Sequence, residues 1–156
     1  MKGKSKFNFG EVASNLSRTK SGLLKLLASD SKNYFMEAFK NEEWDGNKWK
    51  QVDRKIPGTK AYKYPSRPKT SAHSRLILVG TGRLRKAVAN SKKTGSMTNN
   101  SFTLVVADVP YAEVHNEGLK TRFFTMPKRQ FMGDTKALRN IQLARIHKYM
   151  DRVWQG

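Results

Sequence analysis

Between residues 24 and 39, Leu24, Leu27, Ala28, Ser31, Phe35, Ala38 and Phe39 recur at steps of three and four. This spacing places them on one stripe of an α-helix and obliges the chain to bury that stripe against something else. The helix is expected to run from about Val12 to Glu43 and to be ended by Asp45-Gly46-Asn47. A break is expected near Ser29-Asp30-Ser31, whose side chains compete for backbone hydrogen bonds.

A second helix is expected near the other end, capped by Asp134 or Thr135. Its Leu143, Ile146, Tyr149, Met150 and Val153 fall within one half of the wheel, with His147 on the polar side. Between the helices, Ser101 to Val109 (SFTLVVADV) is rich in β-branched residues. Turn-forming Thr94-Gly95-Ser96 and Asn99-Asn100 bound it on one side and Pro110 on the other, so it reads as a strand. Arg85 to Lys93 is its expected partner. The fold class is therefore α+β: a long N-terminal helix and a C-terminal helix packed on a small antiparallel sheet. With 156 residues, one domain spanning 1–156 is expected.

Charge divides the chain unevenly. The whole carries +19, and residues 46 to 93 hold 14 basic side chains against 1 acidic one. Much of that excess lies in residues 50–75, where Pro57, Gly58, Pro65 and Pro68 interrupt any period. The segment reads as an extended basic loop or arm, either functional or merely solvated. Its cations, with the preceding Lys48, are Lys50, Arg54, Lys55, Lys60, Lys63, Arg67 and Lys69. Such charge repels itself unless a polyanion or an acidic protein surface sits nearby.

Little in the sequence suggests catalysis. The chain has no cysteine, which removes disulfides and thiolate zinc sites. Leu76 to Val79 followed by Gly80-Thr81-Gly82-Arg83-Leu84-Arg85 invites comparison with a phosphate-binding glycine loop. It lacks both the third glycine of a dinucleotide loop and the Gly-Lys-Ser/Thr ending of a P-loop. The two glycines serve a tight turn, Thr81 caps a short helix through Leu84, and Leu76 to Val79 forms a short strand or an apolar anchor. In Tyr111 to Gly118 (YAEVHNEG), a helix begun by Pro110 would put Glu113 and Glu117 on one face and turn His115 away, so the three do not converge on a metal. No Gly-x-Ser-x-Gly elbow precedes a suitable acid and histidine. No enzyme activity, cofactor or metal is expected. The N-terminus lacks the apolar segment of a signal peptide and no apolar run could span a bilayer, so a protein made in the cytoplasm, without membrane contact, is expected.

Nucleic-acid binding is the alternative function. Trp44, Trp49, Tyr62 and Tyr64 interleave with lysines and arginines, which would offer stacking faces and phosphate contacts together. Equally, Trp44 and Trp49 could close the end of the long helix against the core.

Four motifs in order, Asp45-Gly46-Asn47-Lys48-Trp49, then Leu78 with Thr81 to Arg85, then Tyr111 to Gly118, then Met126 to Gly133 (MPKRQFMG), resemble the phage virion morphogenesis family. These are tail completion proteins of Mu-like and related tailed phages. The resemblance covers about residues 12 to 154 and leaves 50–75 unaligned. It implies a structural virion protein of the tail's head-proximal end or neck, joining head to tail as a homo-oligomeric ring, commonly a hexamer. It also implies tail tube, tail terminator or connector proteins as partners, with phage DNA passing near, and a location in the virion after assembly in the host cytoplasm.

The matched residues suit interface or core alike. They are Trp49, Thr81, Gly82, Leu84, Tyr111, His115, Gly118, Pro127, Arg129, Phe131 and Gly133. Gly82 and Gly118 fit tight turns, while Leu84 and Tyr111 serve as apolar anchors. Pro127 fixes an extended entry and Arg129 offers a fork of donors to a carboxylate or carbonyl. Phe131 supplies buried area before Gly133 releases the chain into the last helix.

Overall fold

In the computed structural model, which describes residues 9–66, 68–96, 101–105 and 109–155, the first helix, α1 (Phe9–Asn41), runs 33 residues without interruption. The expected break is absent because the serines bond back along the helix. Ser29 Oγ donates to the Lys25 carbonyl at 2.9 Å and Ser31 Oγ to that of Leu27 at 3.1 Å, a pattern compatible with helical backbone. The stripe is buried from Leu24 to Phe39, with Phe39 wholly enclosed.

Two residues earlier than expected, α1 stops at Asn41, and Glu42 takes left-handed backbone (φ 54°). Asp45-Gly46 does not end the helix. With φ of 50° and 80°, it turns a two-residue hairpin between β1 (Glu43–Trp44) and β2 (Asn47–Lys48), as an Asp-Gly pair does when both turn residues need positive φ.

Residues 50–75 are not an extended arm. They fold into a 3-10 turn (Asp53–Lys55), α2 (Lys60–Lys63) and α3 (Lys69–Ser74). Arg54 fastens the ends of the segment together: its Nε donates to the Ala72 carbonyl at 3.1 Å and its Nη2 to those of Arg75 and Leu76 at 3.0 Å. Thr59 Oγ1 accepts from Tyr62 N to cap α2, and the Tyr62 ring stacks on His73 with centroids 4.0 Å apart. Helices of four and six residues are too short to display a period, so the sequence could not reveal them.

Ile77 is fully buried and Leu78 has φ 59°, so Leu76 to Val79 is an apolar anchor and not a strand. α4 (Arg83–Ala89) follows, with Gly82 (φ 80°) in the N-cap position and Thr81 Oγ1 accepting from Arg83 N at 3.4 Å. The predicted strand Arg85 to Lys93 is therefore corrected. Leu84, Ala87 and Val88, all buried, have helical spacing, and the helix continues to Ala89. The partner of β4 (Ser101–Val105) is β3 (Lys92–Ser96), pairing Lys92 with Val105 and Ser96 with Ser101. Thr94-Gly95-Ser96 is thus strand, not turn. Asn99-Asn100 and residues 106–108 lie outside the described residues; Val109 rejoins the core.

α5 (Ala112–Glu117) leads through Gly118 into a small hairpin of β5 (Leu119–Lys120) and β6 (Thr125–Met126). The last helix, α6 (Lys136–Gln155), is capped by Thr135, whose Oγ1 accepts from Leu138 N at 3.0 Å. The expected apolar half is followed in part: Ile146, Tyr149 and Met150 are half-buried, whereas Leu143 is 53% exposed and the side chain of Val153 lies outside the described residues. Polar contacts also join this helix to α1. Gln142 Nε2 donates to Ser31 Oγ at 2.9 Å, and Arg145 donates through Nε and Nη2 to both oxygens of Asp30 at 2.8 Å.

The architecture is α+β, as expected, with three separate two-stranded ribbons among the described residues in place of one sheet. α1 is its spine, packed by α4, α6 and the β3–β4 ribbon. Among the described residues, no helix is long and apolar enough to cross a membrane.

Candidate functional site

Phe39 sits where the sequence motifs meet. Its ring lies 5.9 Å from Trp49, edge to face, and 5.1 Å from Phe131. Trp49 Nε1 donates to the Gln130 carbonyl at 2.8 Å, joining the first motif to the fourth. The third joins the fourth through Asn116, whose Oδ1 accepts from Phe131 N and Met132 N at 3.0 Å, and through Arg129 N, which donates to the His115 carbonyl at 2.8 Å. Gly118 is required at that junction: with φ 78°, an added Cβ would lie 3.0 Å from Lys128 N and 3.2 Å from Met126 O.

Three predicted interface residues therefore belong to the core. Trp49, Leu84 and Phe131 are buried and hold the fold. Thr81, Tyr111 and Gly133 are exposed, while Gly82, His115, Gly118 and Pro127 are half-buried. Arg129 is 7% exposed, and its Nε donates to the Lys50 carbonyl at 3.1 Å, one of the two partner types its fork suggested.

Thr81, Gly82, Leu84, Tyr111, His115 and Arg129 line a cavity of about 390 Å³. The second, third and fourth motifs thus surround one space. Arg54 and Arg75 complete its wall, and neither belongs to a motif. Burial, then the nearby Arg75, lowers the affinity of Arg54 for its proton. Burial does the same to Arg129, against the opposing field of Asp53. His115 is pushed below the ordinary imidazole range by burial and by Arg129. The cavity is a crowded cationic site with apolar walls.

The basic residues divide into two sets. Arg54 and Lys55 turn inward, Lys55 to Glu42 at 2.8 Å. Lys50, Lys60 and Lys63 are exposed, as is Lys48, which pairs with Glu43 at 2.8 Å. Arg67 and the side chain of Lys69 lie outside the described residues. Trp44 and Trp49 are buried and offer no stacking face; Tyr64, at 77% exposure, does.

Sequence reasoning missed Arg75 and also Phe123 and Phe124, which sit 89% and 53% exposed at the tip of the β5–β6 hairpin. Two adjacent aromatics between Gly118 and Pro127, in a stretch that reads as a turn, were the available signal. Thr121 Oγ1 holds that tip by accepting from Phe123 N and Phe124 N.

No family model, curated protein or solved structure matches this chain.

Proposed function

We propose that this protein is a structural virion component that completes a phage tail or joins it to the head at the neck, assembling as a multi-copy ring and not acting as a catalyst. One observation carries the reading. The four sequence segments that resemble the virion morphogenesis family knit into one packed unit around Phe39 and the adjacent cationic cavity.

The exposed Phe123-Phe124 tip adds support, because solvent-facing aromatics are common anchors of protein interfaces. The nucleic-acid alternative loses the stacking faces of Trp44 and Trp49 and keeps the exposed Tyr64 ring beside exposed lysines, whose attraction to phosphate is nonspecific.

The test is to interrupt the gene in the phage genome that carries it. Electron micrographs should show filled heads and tails accumulating apart. Joined, infectious particles would overturn the proposal. Reversing the exposed charges Lys50→Glu, Lys60→Glu and Lys63→Glu separates two uses of the basic face: failed joining indicates docking on acidic proteins, whereas normal joining with abnormal DNA ejection indicates a DNA-facing channel.

A further inference from the structure

The cationic cavity holds more positive charge than the protein itself answers. Arg129 is 7% exposed, yet among the described residues its side chain reaches a protein acceptor only through Nε, at the Lys50 carbonyl. Arg75 Nε is buried without any hydrogen-bond partner, and so is His115 Nδ1. Among the described residues, neither Arg75 nor Arg129 forms an ion pair. The field of Asp53 reaches Arg129 from a neighbouring groove, beyond ion-pair distance. A buried donor left unpaired is costly, and more so when charged, so a site that keeps Arg75 Nε in that state beside a nearly enclosed Arg129 is built for something to complete it.

We infer that this cavity is an oxyanion site that receives the carboxylate of an acidic side chain carried on a loop of a partner protein, with Arg75 and Arg129 as the residues that grip it. Guanidinium groups bind carboxylates and phosphates in the same forked geometry, so the donors alone do not choose between them. The shape does. Ile77, Leu78, Leu84 and Tyr111 wall a space of about 390 Å³, which suits the methylene stem of a glutamate. Arg129 is almost fully enclosed, whereas duplex phosphates lie along a convex ribbon that meets exposed lysines more easily than a buried guanidinium. The depressed proton affinities of Arg54 and Arg129 agree with cations awaiting an anion. Neither the cavity nor its cations depend on the tail-protein reading.

The test uses the full chain with 15N-labelled arginine, following the side-chain Nε–H signals at constant ionic strength. Four probes are titrated: a blocked Gly-Glu-Gly peptide, its Gly-Gln-Gly counterpart, inorganic phosphate and a short DNA duplex. The glutamate peptide should shift Arg75 and Arg129 saturably, and the glutamine peptide should not. Arg75→Gln should weaken the glutamate peptide about tenfold, the loss of one charge-assisted contact, with thermal unfolding little changed because, among the described residues, Arg75 forms no ion pair and its Nε has no hydrogen-bond partner. Lys136→Gln, which removes the same charge from an exposed position, should leave affinity unaltered. An equal response to both peptides, shifts that never saturate, phosphate saturating at lower concentration than the peptide, or duplex DNA moving these two arginines before any other signal would each overturn the assignment.

Discussion

Glu42 and Lys55 form an ion pair at 2.8 Å whose side chains are 14% and 18% exposed. The same carboxylate accepts from Ile77 N, so one residue in left-handed backbone at the end of α1 (φ 54°) organises both ends of the segment that follows. Glu42→Ala would strand the Lys55 ammonium and the Ile77 N–H in a mostly dry place. Loss of one member of such a pair costs about 3 kcal/mol, which urea unfolding should register as a lower midpoint. Glu42→Gln keeps an acceptor for Ile77 and should cost less. Equal, negligible effects from both would mean that Glu42 does not hold the segment.

Gly82 and Gly118 share a positive φ, 80° and 78°, but Gly82 is left-handed with ψ −1° whereas Gly118 has ψ 167°, a region almost closed to other residues, and their surroundings differ too. Beyond Gly82 an added Cβ would meet only Lys86 Cε at 3.9 Å, whereas beyond Gly118 it would press on the backbone of Lys128 and Met126. Gly82→Ala should therefore cost about 1 kcal/mol, the strain of left-handed backbone alone. Gly118→Ala should cost about 3 kcal/mol, because neighbouring main chain must also move. Paired denaturation curves check the order, and a larger loss at Gly82 would contradict it.

What was legible in the sequence follows from length. The stripe from Leu24 to Phe39 spans several turns, long enough for a period of 3.6 to declare itself, and it is buried as expected. α2 and α3 are each under two turns, and the basic residues that made 50–75 look solvated include Arg54, whose donors are spent on carbonyls inside the fold. The strand expected at Arg85 failed because Leu84, Ala87 and Val88 carry a helical spacing in only seven residues. The site was half legible. Glycine and aromatic motifs marked three sides of the cavity, but Arg75 lies in no motif and only the folded chain brings it to Arg129.

Gly22 marks a close approach that no periodicity could show. A Cβ built there would lie 2.6 Å from the Tyr149 hydroxyl oxygen and 3.6 Å from the carbon bearing it, so α6 crosses α1 where one residue has no side chain. Alanine is normally favoured over glycine inside a helix by about 1 kcal/mol. Gly22→Ala should nevertheless destabilise the protein, since the ring must shift to admit the methyl group. In a Tyr149→Phe background the obstructing oxygen is gone, and the same substitution should stabilise by about 1 kcal/mol. A double-mutant cycle reads this reversal of sign; additive effects would show that the two helices do not meet here.

His115 supplies a dependence on pH. Burial, then the nearby Arg129, holds its folded-state pKa below the ordinary value, which is about 6.5 in an unfolded chain. The unfolded protein therefore takes up a proton at a pH where the folded protein resists it. Stability associated with His115 is fully present above about pH 6.5 and is lost progressively as the pH falls from there toward the folded pKa. Among the described residues His115 forms no ion pair with a carboxylate that could receive the new charge, and the Tyr111 ring packs edge-on at 5.8 Å. His115→Gln should flatten the stability profile across that window while leaving stability at pH 8 nearly unchanged. Urea midpoints of both proteins between pH 8 and pH 5 make the comparison, and parallel curves would assign the acid sensitivity to other groups.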